Sequence, residues 1–242
     1  MGPQLAERLQ REVAHGATDV AVRQAEAGWD SAAGKIRKQR RIAFLTDGLP
    51  HESKVLEIGA GTGIQTRELC QAFTSVVGID ISPDLLEFAG KRAPTAEFHC
   101  MDAHAPNFAV ASFDAILGVS ILHHLDWTVA LGNYRRLLRP GGIVRFSEPN
   151  LMNPQIFVQK NIPFLKRLAG DSPDEYAFTA RQISKTLEMV GYTGVKVRPF
   201  EFLHPATPEW LVPAVISLEN KIGKTAFVAL GGSLLIEART EI

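Results

Sequence analysis

The chain of 242 residues has no surplus of either charge: Lys+Arg and Asp+Glu both number 26. A general nucleic-acid binder carries a basic excess, so no nucleic-acid partner is expected. Cysteine is nearly missing. Cys70 and Cys100 stand far apart, in no metal spacing, and are expected as buried thiols in a reducing compartment. Seven histidines and these two cysteines form no ligand pattern, so no metal is expected. Long apolar runs are lacking too. No stretch of eighteen apolar residues occurs, and Met1-Gly2-Pro3-Gln4-Leu5-Ala6-Glu7 opens no apolar signal core. No integral membrane segment is expected, a cytoplasmic location is, and peripheral membrane contact stays open. Repeats and low-complexity tracts are absent. What remains, 45% apolar and 21% charged residues, has the proportions of a soluble globular protein.

The most informative stretch is Val55-Leu56-Glu57-Ile58-Gly59-Ala60-Gly61-Thr62-Gly63. It reads as a buried strand stopping at a glycine-rich turn. A second strand, Val76-Val77-Gly78-Ile79-Asp80, ends in an acid. Glycines let a backbone approach a bound molecule, and the acid can take both hydroxyls of a ribose. Gly61 and Asp80 are nineteen residues apart, close to the ~20 of a nucleoside-binding βαβ unit.

Two absences then select the ligand. Ile64 stands where a dinucleotide fingerprint has its last glycine, and no P-loop Lys-Ser/Thr follows Gly63. The site suits a nucleoside with a compact amino-acid tail better than a pyrophosphate. With its E-x-G-x-G-x-G motif and Asp80, the chain resembles the class I S-adenosylmethionine-dependent methyltransferases. Further matches run to Glu148: Asp80-Ile81, Asp102-Ala103, Gly118-Val119-Ser120 and Leu137-Leu138-Arg139-Pro140-Gly141-Gly142.

The resemblance implies a Rossmann-like α/β fold. Its sheet has seven mostly parallel strands, the last antiparallel, with helices on both faces. It implies S-adenosylmethionine as cofactor and S-adenosylhomocysteine as product. It also implies roles. Glu57 supports the methionine amino group and the loop. Gly59, Ala60, Gly61 and Gly63 form the turn. Asp80 takes the ribose, Ile81 packs on adenine, and Asp102 with Ala103 meets the adenine amino group. Val119 and Ser120 lie near the methionine portion. Gly78 and Gly118 serve either ligand approach or close packing.

Methyl transfer from a sulfonium needs chiefly an acceptor lone pair held in line, and positioning alone can supply ~7–11 kcal/mol. A hydroxyl acceptor also needs a base. His123 and His124 follow strand four and Glu148 ends strand five, so these three are the candidate catalytic residues. Asn150 is placed to orient a substrate hydroxyl. His15, His51, His99, His104 and His204 receive no role.

Residues 1–50 read as a charged helical segment that covers cofactor or substrate, and 51–242 as the methyltransferase domain. Lys35-Ile36-Arg37-Lys38-Gln39-Arg40-Arg41 carries five basic residues in seven and reads as a solvated helix face. Pro140-Gly141-Gly142 is expected to stop a helix and start strand five. Two irregular inserts, 151–178 and 204–231, are the expected acceptor cover. They contain Phe157, Phe164, Leu165, Trp210 and Val215, with Lys160, Lys166 and Arg167 nearby. Trp29 either closes over the cofactor or anchors the N-terminal helices.

The expected acceptor is therefore a small, apolar or amphiphilic molecule. The leading reading is O-methylation. Carbon methylation, as in quinone-biosynthesis enzymes, and nitrogen methylation are the alternatives. Strand four lacks the Asn/Asp-Pro-Pro-Tyr/Phe motif of many nucleic-acid amino methyltransferases. A non-catalytic cofactor-binding module and a NAD-dependent dehydrogenase are the readings from other classes.

Overall fold

The computed structural model describes residues 28–162, 164–165, 176–223 and 225–241. Residues 1–27, with His15, and Lys166 and Arg167 of the first insert lie outside the described residues.

Seven strands form one sheet: β1 (Lys54–Ile58), β2 (Ser75–Asp80), β3 (Glu97–Cys100), β4 (Phe113–Val119), β5 (Leu138–Pro149), β6 (Thr193–Phe200) and β7 (Ser233–Arg239). Their order is β3-β2-β1-β4-β5-β7-β6. The first five run parallel, and β7 lies antiparallel between β5 and β6. Strands β1, β2 and β4 read as apolar runs because both faces of a parallel sheet are covered.

The described helices are α1 (Ala32–Thr46), α2 (Ile64–Ala72), α3 (Pro83–Arg92), α4 (Trp127–Leu137), α5 (Pro154–Asn161), α6 (Ala180–Met189) and α7 (Val212–Ile222). One buried cluster joins Leu56, Ile58, Ile116 and Phe146 to Leu131, Tyr134 and Leu137 of α4 and to Ile183 and Leu187 of α6. The other joins Val55, Ala115 and Ile143 to Leu45 of α1 and Leu69 of α2. Helix starts follow local chemistry. Ser82 caps α3 with Pro83 behind it, and Thr179 and Gln182 form a capping box at the start of α6.

Several expectations change. β5 begins at Leu138, before Pro140-Gly141-Gly142: Leu138 pairs with Phe113, and a register shift follows before Ile143 meets Ala115. The 151–178 insert contains α5, whose Asn153 side chain accepts from the Gln155 and Ile156 N–H groups ahead of Pro154. The 204–231 insert contains α7 between two 3-10 turns. Cys70 is half-buried and Cys100 exposed, so neither is the buried thiol expected.

The basic run of α1 is not a solvated face. Arg37 and Arg41 each reach Glu201 Oε2 at 2.8 Å, Arg40 reaches Oε1 at 3.5 Å, and Arg40 also pairs with Glu219 at 2.8 Å. The Glu201 side chain is fully buried and Arg41 nearly so. Burial, together with the neighbouring Arg41 charge, pulls the Arg37 pKa down to about 10, against the pull of Glu201 and Glu219. Glu219 Oε1 also accepts the N–H groups of Phe202 and Leu203. These ion pairs, with Ala33 packed on Leu203 and Val212, fasten α1 to the second insert. Among the described residues, no helix is long and apolar enough to cross a membrane.

Candidate cofactor and active site

The carboxyl ends of β1, β2, β3, β4 and β5 lie side by side, and Glu57, the glycine turn, Asp80, Asp102, Ser120 and Glu148 lie at or just beyond these ends. Open α/β sheets bind ligands along this edge, where strand order reverses, here between β1 and β4.

The three motif glycines share a left-handed backbone, with φ of 72°, 52° and 78° at Gly59, Gly61 and Gly63. Their surroundings differ. A Cβ at Gly59 would meet the Ile121 side chain at 2.8 Å, and one at Gly63 would meet Ala89 Cα at 2.8 Å. These two glycines serve close packing. At Gly61 nothing described lies within 4 Å. The middle glycine is thus the one whose backbone faces open space. Gly78 and Gly118 also pack closely: a Cβ would meet Phe98 at 2.8 Å and Phe146 at 2.7 Å.

Asp80 closes the turn from the β2 end. Its Oδ2 accepts the Gly61 N–H at 2.9 Å and its Oδ1 the Ser82 N–H at 3.0 Å. Burial raises its pKa, and the Ser82, Gly61 and Ile81 backbone donors hold the rise back. Ala60 is buried and its N–H donates to Ile79 O at 2.9 Å. Beneath lies Glu57, 3% exposed, whose Oε2 accepts the Thr66 hydroxyl at 2.5 Å. Burial pushes its pKa to about 8; the Thr66 bond opposes the rise and the Asp80 charge adds to it.

Asp102 stands two residues past β3. Its Oδ1 accepts from the backbone N and from Nδ1 of His104, both at 2.8 Å. The loop is tied to β2 by Met101 N–H donating to Asp80 O at 2.9 Å. The half-buried Ile81 lies close by, its carbonyl 3.5 Å from Cys100 Sγ. Ala103 O accepts the Tyr134 hydroxyl at 2.8 Å.

At β4, Val119 is half-buried, and exposed Ser120 has a left-handed φ of 54° while its N–H donates to Ser147 O at 2.8 Å. The chain then turns through Leu122–His124. Glu148, 1% exposed, organises that turn. Its Oε1 accepts the N–H groups of Ile121 at 2.9 Å and Leu122 at 2.8 Å, and its Oε2 lies 2.8 Å from His123 Nδ1. A carboxylate only accepts, so Nδ1 carries the proton and Nε2 is the basic nitrogen. The His123 and His124 rings are 4.2 Å apart, centre to centre.

Asn150 does not face a substrate. It is fully buried; its Nδ2 donates to Ala229 O and Gly231 O at 2.9 and 2.7 Å, and its Oδ1 accepts Met152 N–H at 3.1 Å. Asn153 Nδ2 adds a bond to Leu230 O at 2.8 Å. The two inserts are therefore stitched together at the end of β5. Their apolar side chains are largely solvent-facing: Phe157 is 53%, Trp210 76% and Phe227 66% exposed. Trp29 lies under the Arg41 guanidinium at 5.7 Å, on the anchoring side of the two roles expected for it.

Residues 56–146 match the family model of a methyltransferase domain. The chain is 32% identical over 160 residues to a demethylmenaquinone methyltransferase of Tropheryma whipplei, covering 62% of this chain and 66% of that protein. It is 31% identical over 174 residues to a 2-methyl-6-phytyl-1,4-hydroquinone methyltransferase of Synechocystis, covering 68% of this chain and 54% of that one. Among solved structures, its fold is similar to a methyltransferase of Thermotoga maritima, with a TM-score of 0.67 and 18% identity over 91% of this chain and 98% of that chain. A phosphoethanolamine N-methyltransferase of Haemonchus contortus, in complex with S-adenosylhomocysteine, gives a TM-score of 0.70 at 18% identity, over 97% and 59%.

Residues 56–146 form a methyltransferase domain, and the sheet is that of the class I S-adenosylmethionine-dependent methyltransferase family.

The family brings its cofactor, S-adenosylmethionine. The residues present fit it. The open space at Gly61 admits a ligand against the backbone, and Asp80 presents a carboxylate beside it. The chain spans about two thirds of the Tropheryma relative and about half of the Synechocystis one.

His104 was not legible as a site neighbour. Its signal is the Asp-x-His spacing after a strand end, which puts an imidazole within reach of the acid's own side chain.

Proposed function

We propose that the protein transfers a methyl group from S-adenosylmethionine to a ring carbon of a hydroquinone-type acceptor bearing an apolar side chain. One observation carries the acceptor class. The inserts, stitched to each other at Asn150 and Asn153 just past the strand that bears Glu148, carry exposed Phe157, Trp210 and Phe227. The names of the Tropheryma and Synechocystis relatives, both quinone or hydroquinone methyltransferases, support the same class.

Asp80 is the ribose acid in this reading, Gly61 the point of backbone approach, and Asp102 the acceptor for the adenine amino group. Glu57 supports the turn from below. The N-terminal segment and the inserts form the acceptor cover, and an apolar tail suits their exposed side chains. Bound in the site, the sulfonium supplies the methyl as an electrophile.

The protein's own chemistry is positioning and proton transfer. A hydroxyl of the ring must lose its proton for the adjacent carbon to become nucleophilic. That carbon then forms the new C–C bond as the S–CH₃ bond breaks, the electron pair staying on sulfur, and the carbon loses its hydrogen as a proton. His123 Nε2, set by the Nδ1 bond to Glu148, is the base. Glu148 itself is the positioning residue, since both of its oxygens hold the 121–123 turn.

O-methylation is the second reading, favoured by the same His123–Glu148 pair, because a hydroxyl needs the same base. Methyl-labelled S-adenosylmethionine, incubated with a prenylated naphthohydroquinone, its tail-less analogue and a simple catechol, separates the two. Ring methylation of the prenylated quinol is expected. An O-methyl product, or transfer to the catechol alone, would replace this reading.

A further inference from the structure

We propose that His104 is a positioning residue that aims the Asp102 carboxylate at the exocyclic amino group of adenine and so sets the preference for adenine over other purines. The proposal rests on the reading of Asp102 as the adenine acid.

The imidazole is held at both nitrogens. Nδ1 lies 2.8 Å from Asp102 Oδ1, and the Asp126 backbone N–H donates to Nε2 at 2.9 Å. A backbone N–H can only donate, so Nε2 is the acceptor and Nδ1 carries the proton. The ring is a neutral relay between Asp102 and the start of α4. It is only 3% exposed, whereas the Asp102 side chain is 22% exposed.

The rest of the loop is fixed to the same helix. Asn133 Nδ2 donates to His104 O at 2.8 Å, and the Tyr134 hydroxyl donates to Ala103 O. Asp126 itself caps α4 by accepting the Val129 N–H at 3.2 Å. The loop therefore sits on a rigid element, not on its own flexibility.

The consequence lies at the carboxylate. Both His104 donors go to Oδ1. This double hold fixes the carboxylate plane and leaves Oδ2 as the acceptor for a ligand. The Met101–Asp80 backbone bond ties the Asp102 loop to the end of β2 that bears the ribose acid, the arrangement that a base attached to the ribose requires. An adenine amino group donates, and a carboxylate accepts. A purine with a carbonyl there would set two acceptors against each other, and a site built for a donor rejects such a ligand.

The test measures binding of S-adenosylhomocysteine and of its deaminated analogue, S-inosylhomocysteine, by calorimetry. Wild type should prefer the adenosyl ligand. His104→Gln keeps an acceptor toward Asp126 and loses the donor to Asp102, so the preference should fall about tenfold, mainly through weaker adenosyl binding. His104→Asn restores an N–H near the Nδ1 position and should recover most of the preference, even with a lower melting temperature. If His104→Gln does not fold, His104→Met removes the donor while filling the buried space, with the same loss expected.

Equal weakening of both ligands, or an unchanged preference, would overturn the proposal and leave His104 a packing residue. Asp102→Asn separates the two levels. If it collapses the preference while the His104 variants do not, Asp102 keeps its role and the His104 proposal fails. If Asp102→Asn changes nothing, the reading of Asp102 falls, and the proposal with it.

Discussion

Glu148 and His123 form a buried carboxylate–imidazole pair, with Oε2 2.8 Å from Nδ1, while Oε1 of the same carboxylate holds the Ile121 and Leu122 N–H groups. One side chain thereby fixes both the path of the turn and the tautomer of His123. Glu148→Gln keeps the shape but presents an amide donor that competes for Nδ1 or misplaces the backbone donors. Turnover should fall by about 10²–10⁴, with cofactor affinity changed little. Single-turnover rates beside calorimetric affinities would check this. Equal losses in both would make the pair a scaffold for the cofactor site alone.

The motif glycines should separate by effect. Gly61→Ala places a methyl in the open space at the turn on a left-handed backbone, so it should weaken cofactor binding more than it lowers stability. Gly63→Ala drives a methyl into Ala89 of α3, so it should cost roughly 1–3 kcal/mol of stability. Denaturation and titration of both variants test the split. The opposite pattern would mean that Gly63, not Gly61, faces the ligand.

Glu57 gives a pH signature. Its pKa is raised by burial from 4.5 to about 8, so the folded protein binds its proton more tightly than the unfolded chain. The stability it contributes is complete below about 4.5 and is lost as pH rises through about 8. Glu57→Gln should flatten that part of the stability profile without cofactor. A profile between pH 5 and 8 that is identical in the two proteins would contradict the buried-acid account.

Glu201 anchors α1 to the end of β6. Glu201→Ala leaves Arg37 and nearly buried Arg41 without their carboxylate, and should destabilise the fold by roughly 3–5 kcal/mol. Urea denaturation measures it. A loss below about 1 kcal/mol would mean that the ion pairs contribute little beyond their desolvation.

The fold was legible where periodicity and turn chemistry agree. Apolar strands bounded by turn residues are readable, and Ser82-Pro83 and Thr179 three residues before Gln182 are helix starts that local chemistry alone marks. The gathering of Glu57, Asp80, Asp102, Ser120 and Glu148 at one sheet edge is readable too, because strand ends in a parallel sheet share an edge.

What the chain hid is what only tertiary contact decides. Lys35–Arg41 looks like a solvated face until Glu201, far along the sequence, is brought against it. Asn150 looks like a substrate ligand until Ala229 and Gly231 take its amide. The three glycines look alike until Ile121 and Ala89 fill the space beside two of them. Asn153-Pro154, by contrast, was a readable helix start inside a segment taken as irregular.

Cofactor choice depends most directly on Asp80 and the Gly61 turn. Calorimetric titration of wild type and Asp80→Ala with S-adenosylhomocysteine and with NAD tests it. Wild type should bind S-adenosylhomocysteine and not NAD, and the folded variant should lose on the order of 1–3 kcal/mol of that affinity as the charged acceptor disappears. Tight NAD binding by wild type, or unchanged S-adenosylhomocysteine affinity in Asp80→Ala, would contradict the account.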